Sequence, residues 1–203
     1  MIELRDAQRD IEPLQSALIQ GLTTASGRWQ RLLTETPDLG LPLDTTTRAC
    51  FIHNHACSEI AHLTAGISNV TLPEKLDFFA LLVGDGILLR LKFVGGGTPR
   101  NYPTGQQRQL SRQEFTPEIM VTLEGVSAPP TLLTCGYALD AAAIGRIEIR
   151  RDCVGHQPWN YDIYGGEAVA EPLVIATLTD STKPAIVTST RKALEGESHA
   201  EQA

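Results

Sequence analysis

The stretch FFALLVGDGILLRLKF, residues 78–93, decides the fold. Two apolar runs flank Gly84-Asp85-Gly86, and apolar runs joined by a short glycine-rich turn are typical of a β-hairpin. In the second run, apolar residues alternate with Arg90 and Lys92. Such alternation predicts a strand with one buried face and one polar face. The sequence therefore predicts a β-hairpin whose second strand carries two cations on the same face.

The β pattern continues downstream of this hairpin. Apolar runs alternate with turn residues, and the short connections between most of them favour an antiparallel meander. Arg146, Glu148 and Arg150 alternate with isoleucines. If their strand shares a sheet with the hairpin, we expect a surface carrying several cations about one strand spacing apart. Further strands are predicted at residues 119–123, 131–139, 146–150, 159–163 and 173–178.

Upstream of residue 70 the periodicity is helical. A first helix is predicted to start near Pro13 and to run to about Leu32, and Gly21 and Gly27 could divide it. A second helix is predicted from about residues 44–47 to Leu63. Since amphipathic helices need an apolar surface to cover, the predicted fold class is α+β, with an N-terminal helical pair packed on a curved, mainly antiparallel β-sheet.

Length and composition indicate one globular domain. A chain of 203 residues that is 42% hydrophobic and 20% charged can bury a single core. Within residues 1–190 we expect a helical part at 1–66 and a sheet part at 70–190, followed by a disordered polar tail at 191–203. The charged start, the short apolar runs and four cysteines without metal-binding spacing predict a cytoplasmic protein without membrane contact. No metal ligands are assigned, and the sequence leaves metal dependence open. No cofactor motif is found, so no cofactor is predicted.

Charge is distributed unevenly along the chain. The whole protein carries −7, but residues 86–113 contain five cations and no Asp or Glu, which leaves −12 for the remainder. Within this segment, the predicted loop at residues 95–108 is rich in Arg, Asn, Gln and Thr. It is long for a compact domain, and long loops often carry function. Its glycines at 95–97 do not match a phosphate-binding loop, because the following Gly-Lys-Ser/Thr is missing.

Seven residues form the predicted nucleic-acid-binding set. Arginine and lysine contact phosphates, and amide side chains contact base edges. The competing interpretation is that the strand cations form an ordinary solvated face or protect a sheet edge from aggregation. The set comprises Arg48, Arg90, Lys92, Arg100, Asn101, Arg108 and Arg150.

A polar stripe is predicted beside the apolar face of the second helix. At 100° per residue, Arg48, His55, Glu59 and His62 fall close together. Because imidazole titrates near neutrality, His55, Glu59 and His62 are the candidate catalytic acid–base residues. The zinc-protease and di-iron patterns are incomplete here. The alternative interpretation is a structural boundary between the buried and exposed sides of the helix.

Two functional hypotheses follow from these patterns. In the first, the protein binds or processes RNA or DNA through the basic hairpin strand and loop, which makes it a nuclease candidate. In the second, it is a non-enzymatic subunit of a two-protein complex, such as a toxin–antitoxin pair, and docks a protein partner through charged surfaces. The sequence leaves open whether the chain is an enzyme and what its oligomeric state is.

Overall fold

A computed structural model describes residues 2–36, 45–94, 104–123, 126–140, 143–151, 153 and 157–165. All of them belong to one compact unit, Met1–Leu173. The predicted strand at 173–178 and the predicted tail at 191–203 lie outside the described residues. The described elements confirm the α+β class, with an N-terminal helical pair followed by a six-stranded sheet.

The first helix, α1 (Leu4–Glu35), is longer than the sequence predicted. The predicted start near Pro13 is wrong, since the proline lies inside the helix. A proline there removes one backbone hydrogen bond. Ala7 and Ile11 are fully buried and extend the apolar stripe towards the N-terminus, so their packing offsets that loss. At 32 residues, α1 is about 48 Å long.

The second helix, α2 (Thr45–Thr64), matches its predicted span. It packs along α1, and the two helices are in close contact at Gly21. A Cβ atom placed on Gly21 would lie 2.5 Å from Cγ1 of Ile60. The absence of a side chain at Gly21 therefore allows α1 and α2 to pack closely. The glycine does not divide α1, contrary to the prediction.

The sheet contains six strands in sequential order. The predicted hairpin is confirmed, because β2 and β3 pair antiparallel and Val83 lies opposite Ile87. All other neighbours are antiparallel except β3 and β4, which are parallel. The uninterrupted meander predicted from the short connections is therefore wrong at this one place. The strands are β1 (Val70–Thr71), β2 (Ala80–Val83), β3 (Ile87–Phe93), β4 (Thr131–Asp140), β5 (Ala143–Arg151) and β6 (Trp159–Asp162).

Two short helices lie in the crossover between β3 and β4: α3 (Gly105–Ser111) and α4 (Pro117–Thr122). The strand predicted at residues 119–123 is therefore wrong. Thr116 caps α4 by accepting a hydrogen bond from the backbone N–H of Ile119, and Pro117 occupies the first turn. The end of the predicted loop at 95–108 is also helical, because Thr104 caps α3 in the same way.

The two faces of the sheet belong to two separate apolar clusters. Alternate residues of β3, such as Leu89 and Leu91, join the core formed with α1 and α2. Leu88 points to the opposite face and packs with Leu132 of β4 and Leu110 of α3. The helical pair thus covers one face, and α3 and α4 cover part of the other, here called the second face. No helix in the described part of the chain combines the length and the apolarity needed to cross a membrane.

Candidate nucleic-acid interface

Strand register brings the predicted strand cations together on the second face. One row across the sheet contains Arg90, Thr134, Arg150 and Asn160, each opposite the next. The adjacent row contains Lys92, Gly136, Glu148 and Asp162. The prediction that the cations share one face is confirmed. The predicted separation of one strand spacing is wrong, because β4 lies between β3 and β5 and the separation is roughly 10 Å.

The central polar side chains of these rows are buried. Arg90 and Arg150 are each 6% exposed, Glu148 is 4% exposed and Thr134 is fully buried. Arg90 donates from Nε to the hydroxyl of Thr134 over 2.8 Å. Because burying a charge costs several kcal/mol unless it is compensated, this part of the sheet differs from an ordinary solvated strand face.

Glu148 connects the polar side chains of β5 and β6. Its Oε1 lies 3.3 Å from Nη1 of Arg150 and 3.7 Å from Nη2 of Arg146. Its Oε2 accepts a hydrogen bond of 3.1 Å from the amide of Asn160. One buried carboxylate therefore partly balances two arginines, one buried and one 45% exposed at its side chain.

Gly136 makes room for the Glu148 side chain. A Cβ atom at this position would lie 2.9 Å from Cγ2 of Val94 and 3.4 Å from Cγ of Glu148. The contact with Val94 is short enough to force a shift, whereas the contact with Glu148 is at van der Waals distance. A glycine in the middle of β4 thus lets Val94 and the arm of Glu148 lie close to the strand.

The accessible cations of this region lie on β3, on β5 and on or next to α3. Lys92 is half-buried, whereas Arg146 is exposed on β5, and Arg108 and Arg112 are exposed on and just after α3. Arg146 was named in the sequence pattern of its strand but was not placed in the predicted binding set. The alternation of residues 146–150 contained the signal that would have included it.

The remaining members of the predicted set lie elsewhere or cannot be placed. Arg48 is half-buried on α2, which packs on the opposite face of the sheet from Arg90 and Arg150. Arg100 and Asn101 lie outside the described residues. The predicted set therefore divides into a second-face group and a separate residue on the helical layer.

The polar stripe of α2 contacts α1 through Arg28, a residue that the sequence did not single out. Its guanidinium forms an ion pair with Glu59, and its Nη1 lies 3.4 Å from Nδ1 of His55. Since a guanidinium can only donate, Nδ1 of His55 is the acceptor if this contact is a hydrogen bond. His62 is exposed about one turn beyond Glu59. A role of His55, Glu59 and His62 in catalysis stays a prediction, and the sheet lies between them and the second-face cations.

His53 lies on the sheet side of α2, away from this stripe. Its ring stacks on that of Tyr137 at a centroid distance of 6.4 Å and an interplanar angle of 12°. Its Nε2 lies 3.6 Å from the sulfur of Cys57. Burial, and secondarily the Lys92 cation, lower the pKa of His53, while burial raises the pKa of the Cys57 thiol to about 12. A neutral thiol at physiological pH is a poor nucleophile.

Other features of the described residues add no second chemical site. Nowhere in the described ranges do three His, Cys, Asp or Glu side chains come together to hold a metal ion. A cleft of about 300 Å³ lies between α1 and β6, lined by residues such as Gln8, Gln15 and Tyr161. None of the predicted binding or catalytic residues lines it.

Comparisons with known proteins add no functional information. No protein-family model, no curated protein and no solved structure matches the chain. Any functional proposal therefore depends on the chemistry of the second face and of the α2 stripe.

Proposed function

We propose that the protein binds nucleic acid through phosphate contacts on the second face of its sheet. The observation that carries the proposal is the register, which places Arg90, Lys92 and Arg150 in two adjacent rows of one face. Phosphate contacts with Arg and Lys supply most of the sequence-independent affinity of nucleic-acid-binding proteins.

The exposed cations would make the first contacts. Arg108, Arg112 and Arg146 are exposed, and Lys92 is half-buried. Arg108 and Arg112 flank Leu110, which packs on this same face. The segment that supplies most of these cations, residues 86–113, lacks acidic residues, although the chain as a whole carries −7. A local positive surface on an acidic protein directs a polyanion to one region.

The proposal concerns binding and does not assign a cleavage reaction. The candidate acid–base residues belong to the helical layer, and Glu59 is already paired with Arg28. A phosphate held on the second face would be separated from His55 by the sheet and its core. Binding is therefore the activity that the described geometry supports best.

Fluorescence anisotropy with labelled single-stranded RNA and duplex DNA, at low and moderate salt, tests this proposal. The double variant Lys92→Ala/Arg146→Ala should bind about tenfold or more weakly than wild type at low salt. The matched control is Arg5→Ala/Arg31→Ala, which removes two exposed cations from α1 and should bind like wild type. Equal binding by both double variants would contradict the proposed surface, and no binding by any of them would favour a protein partner instead.

A further inference from the structure

We infer that Glu148 is an internal competitor for the second-face cations, and that a bound phosphate displaces its carboxylate from Arg146 and Arg150. This inference rests on the proposed nucleic-acid binding and names the residue that limits its affinity. Glu148 is an acidic side chain in the centre of a mainly cationic group, and it is 4% exposed. It contacts both Arg146 and Arg150, so an anion that binds these two arginines has to compete with it.

The contacts of the carboxylate are those of a replaceable ligand. Arginine–carboxylate pairs are frequently bidentate, with distances of about 2.7–2.9 Å. Here a single oxygen is shared by two arginines at 3.3 and 3.7 Å. The other oxygen is held by the neutral amide of Asn160. Each contact is single and longer than the ordinary charge-assisted hydrogen bond.

A backbone phosphate matches the carboxylate that it would replace. A phosphodiester carries one negative charge and two non-bridging oxygens, so exchange would preserve the charge balance of Arg146 and Arg150. The displaced carboxylate would remain nearby and repel the phosphate. Removing its charge should consequently strengthen binding, even though the same change weakens the ion pairs of the folded protein.

Asp162, the acidic residue next to Glu148 in the sheet, differs from Glu148 in its hydrogen-bond partners. Asp162 lies opposite Glu148 on β6, but its Oδ1 accepts hydrogen bonds from the backbone N–H groups of Tyr164 and Gly165. Its carboxylate therefore stabilises the turn that follows β6. Replacing Asp162 removes the same formal charge without removing the carboxylate that contacts the two arginines.

Binding of labelled single-stranded RNA by Glu148→Gln tests the inference, with Asp162→Asn as the matched control. Glu148→Gln should bind about tenfold more tightly than wild type, equal to about 1.4 kcal/mol. Asp162→Asn should change the affinity by less than about threefold, because its effect on the arginines is indirect and screened. Circular dichroism establishes that each variant is folded. If Glu148→Gln does not fold, Glu148→Asp serves instead, since its shorter arm withdraws from the arginines and should also tighten binding.

The outcomes separate the two proposals. Unchanged or weaker binding by the folded variant, with salt-sensitive binding by wild type, would overturn the competitor role and leave nucleic-acid binding intact. Failure of both wild type and variant to bind would overturn both proposals. Tight binding by the variant alone would support the competitor role of Glu148 but would contradict nucleic-acid binding by the wild-type protein.

Discussion

The two faces of the sheet bury different kinds of side chain. The face under α1 and α2 buries apolar residues and tyrosines, such as Leu89, Tyr137 and Ile149. The second face buries an apolar cluster that includes residues of α3 and α4, and it also buries Arg90, Glu148 and Arg150. Apolar burial stabilises the fold directly, whereas buried charges contribute little net stability. Because of this difference, we assign stability to the first face and propose the second face as the functional surface.

The largest expected effect comes from breaking the buried charge cluster. Glu148→Leu should lower the free energy of unfolding by about 3–5 kcal/mol, because it leaves Arg150 buried without this carboxylate. The double variant Glu148→Leu/Arg150→Met should recover most of that loss, since apolar replacements of a buried ion pair are often neutral or stabilising. Urea unfolding measures the free energy of unfolding of the single and the double variant. A double variant no more stable than Glu148→Leu would show that the charges are needed for folding.

A cavity on the first face should have a slightly smaller effect. Leu89 is 1% exposed in the core beneath the helices, so Leu89→Ala should cost about 2–4 kcal/mol. Binding of RNA by the folded fraction should be unchanged, because this side chain points away from the cations. Urea unfolding and anisotropy on the same sample measure both quantities. A specific loss of binding affinity would show that the two faces are not independent.

Adding one methyl group to the polar rows tests how closely they are packed. Gly136→Ala should lower the free energy of unfolding by about 1–3 kcal/mol, because the new Cβ meets Val94 and Glu148. Gly27→Ala is the matched control in α1, where a Cβ meets nothing within 4 Å. The control should gain about 0.5–1 kcal/mol through helix propensity. Equal stabilisation of both variants would contradict the packing described at Gly136.

The smallest expected effect is on the pH dependence of stability. The pKa of His53 is lowered in the folded protein by burial and by Lys92, so the unfolded chain binds the proton more readily. The free energy of unfolding should therefore be unaffected by this group above about pH 6.5 and should decrease as the pH falls below it. His53→Gln should reduce that decrease. If the free energy of unfolding depends on pH in the same way in wild type and in His53→Gln, this account of the burial of His53 is contradicted.

The sequence predicts the apolar part of this architecture well, because periodicity directly reports which side chains face a core. Prediction from the sequence fails where a short stretch of residues fits more than one kind of secondary structure. Residues 119–123 form part of a helix and not a strand, since a short apolar run does not distinguish the two, and the informative signal was the Thr116-Pro117 cap. Similarly, Pro13 suggested a helix start because proline is favoured in the first turn, although the buried residues before it extend the helix.

The candidate site was predicted only in outline. Alternation placed Arg90 and Lys92 on one face, but it gave neither their burial nor the intervening β4, because those depend on a parallel pairing distant in sequence. The contact of Arg28 with Glu59 was missed for the same reason, since it joins two separate helices. The pattern along one helix or strand shows which side chains share a face. Only the tertiary structure shows which residues of other elements contact that face.

The salt dependence of nucleic-acid binding tests the central claim most directly. For wild type, the logarithm of the RNA association constant should fall linearly with the logarithm of salt concentration. Removing two phosphate contacts in Lys92→Ala/Arg146→Ala should reduce the magnitude of that slope by about 1–2, while Arg5→Ala/Arg31→Ala should keep the wild-type slope. Identical slopes for all three proteins would contradict a phosphate-binding role of the second face.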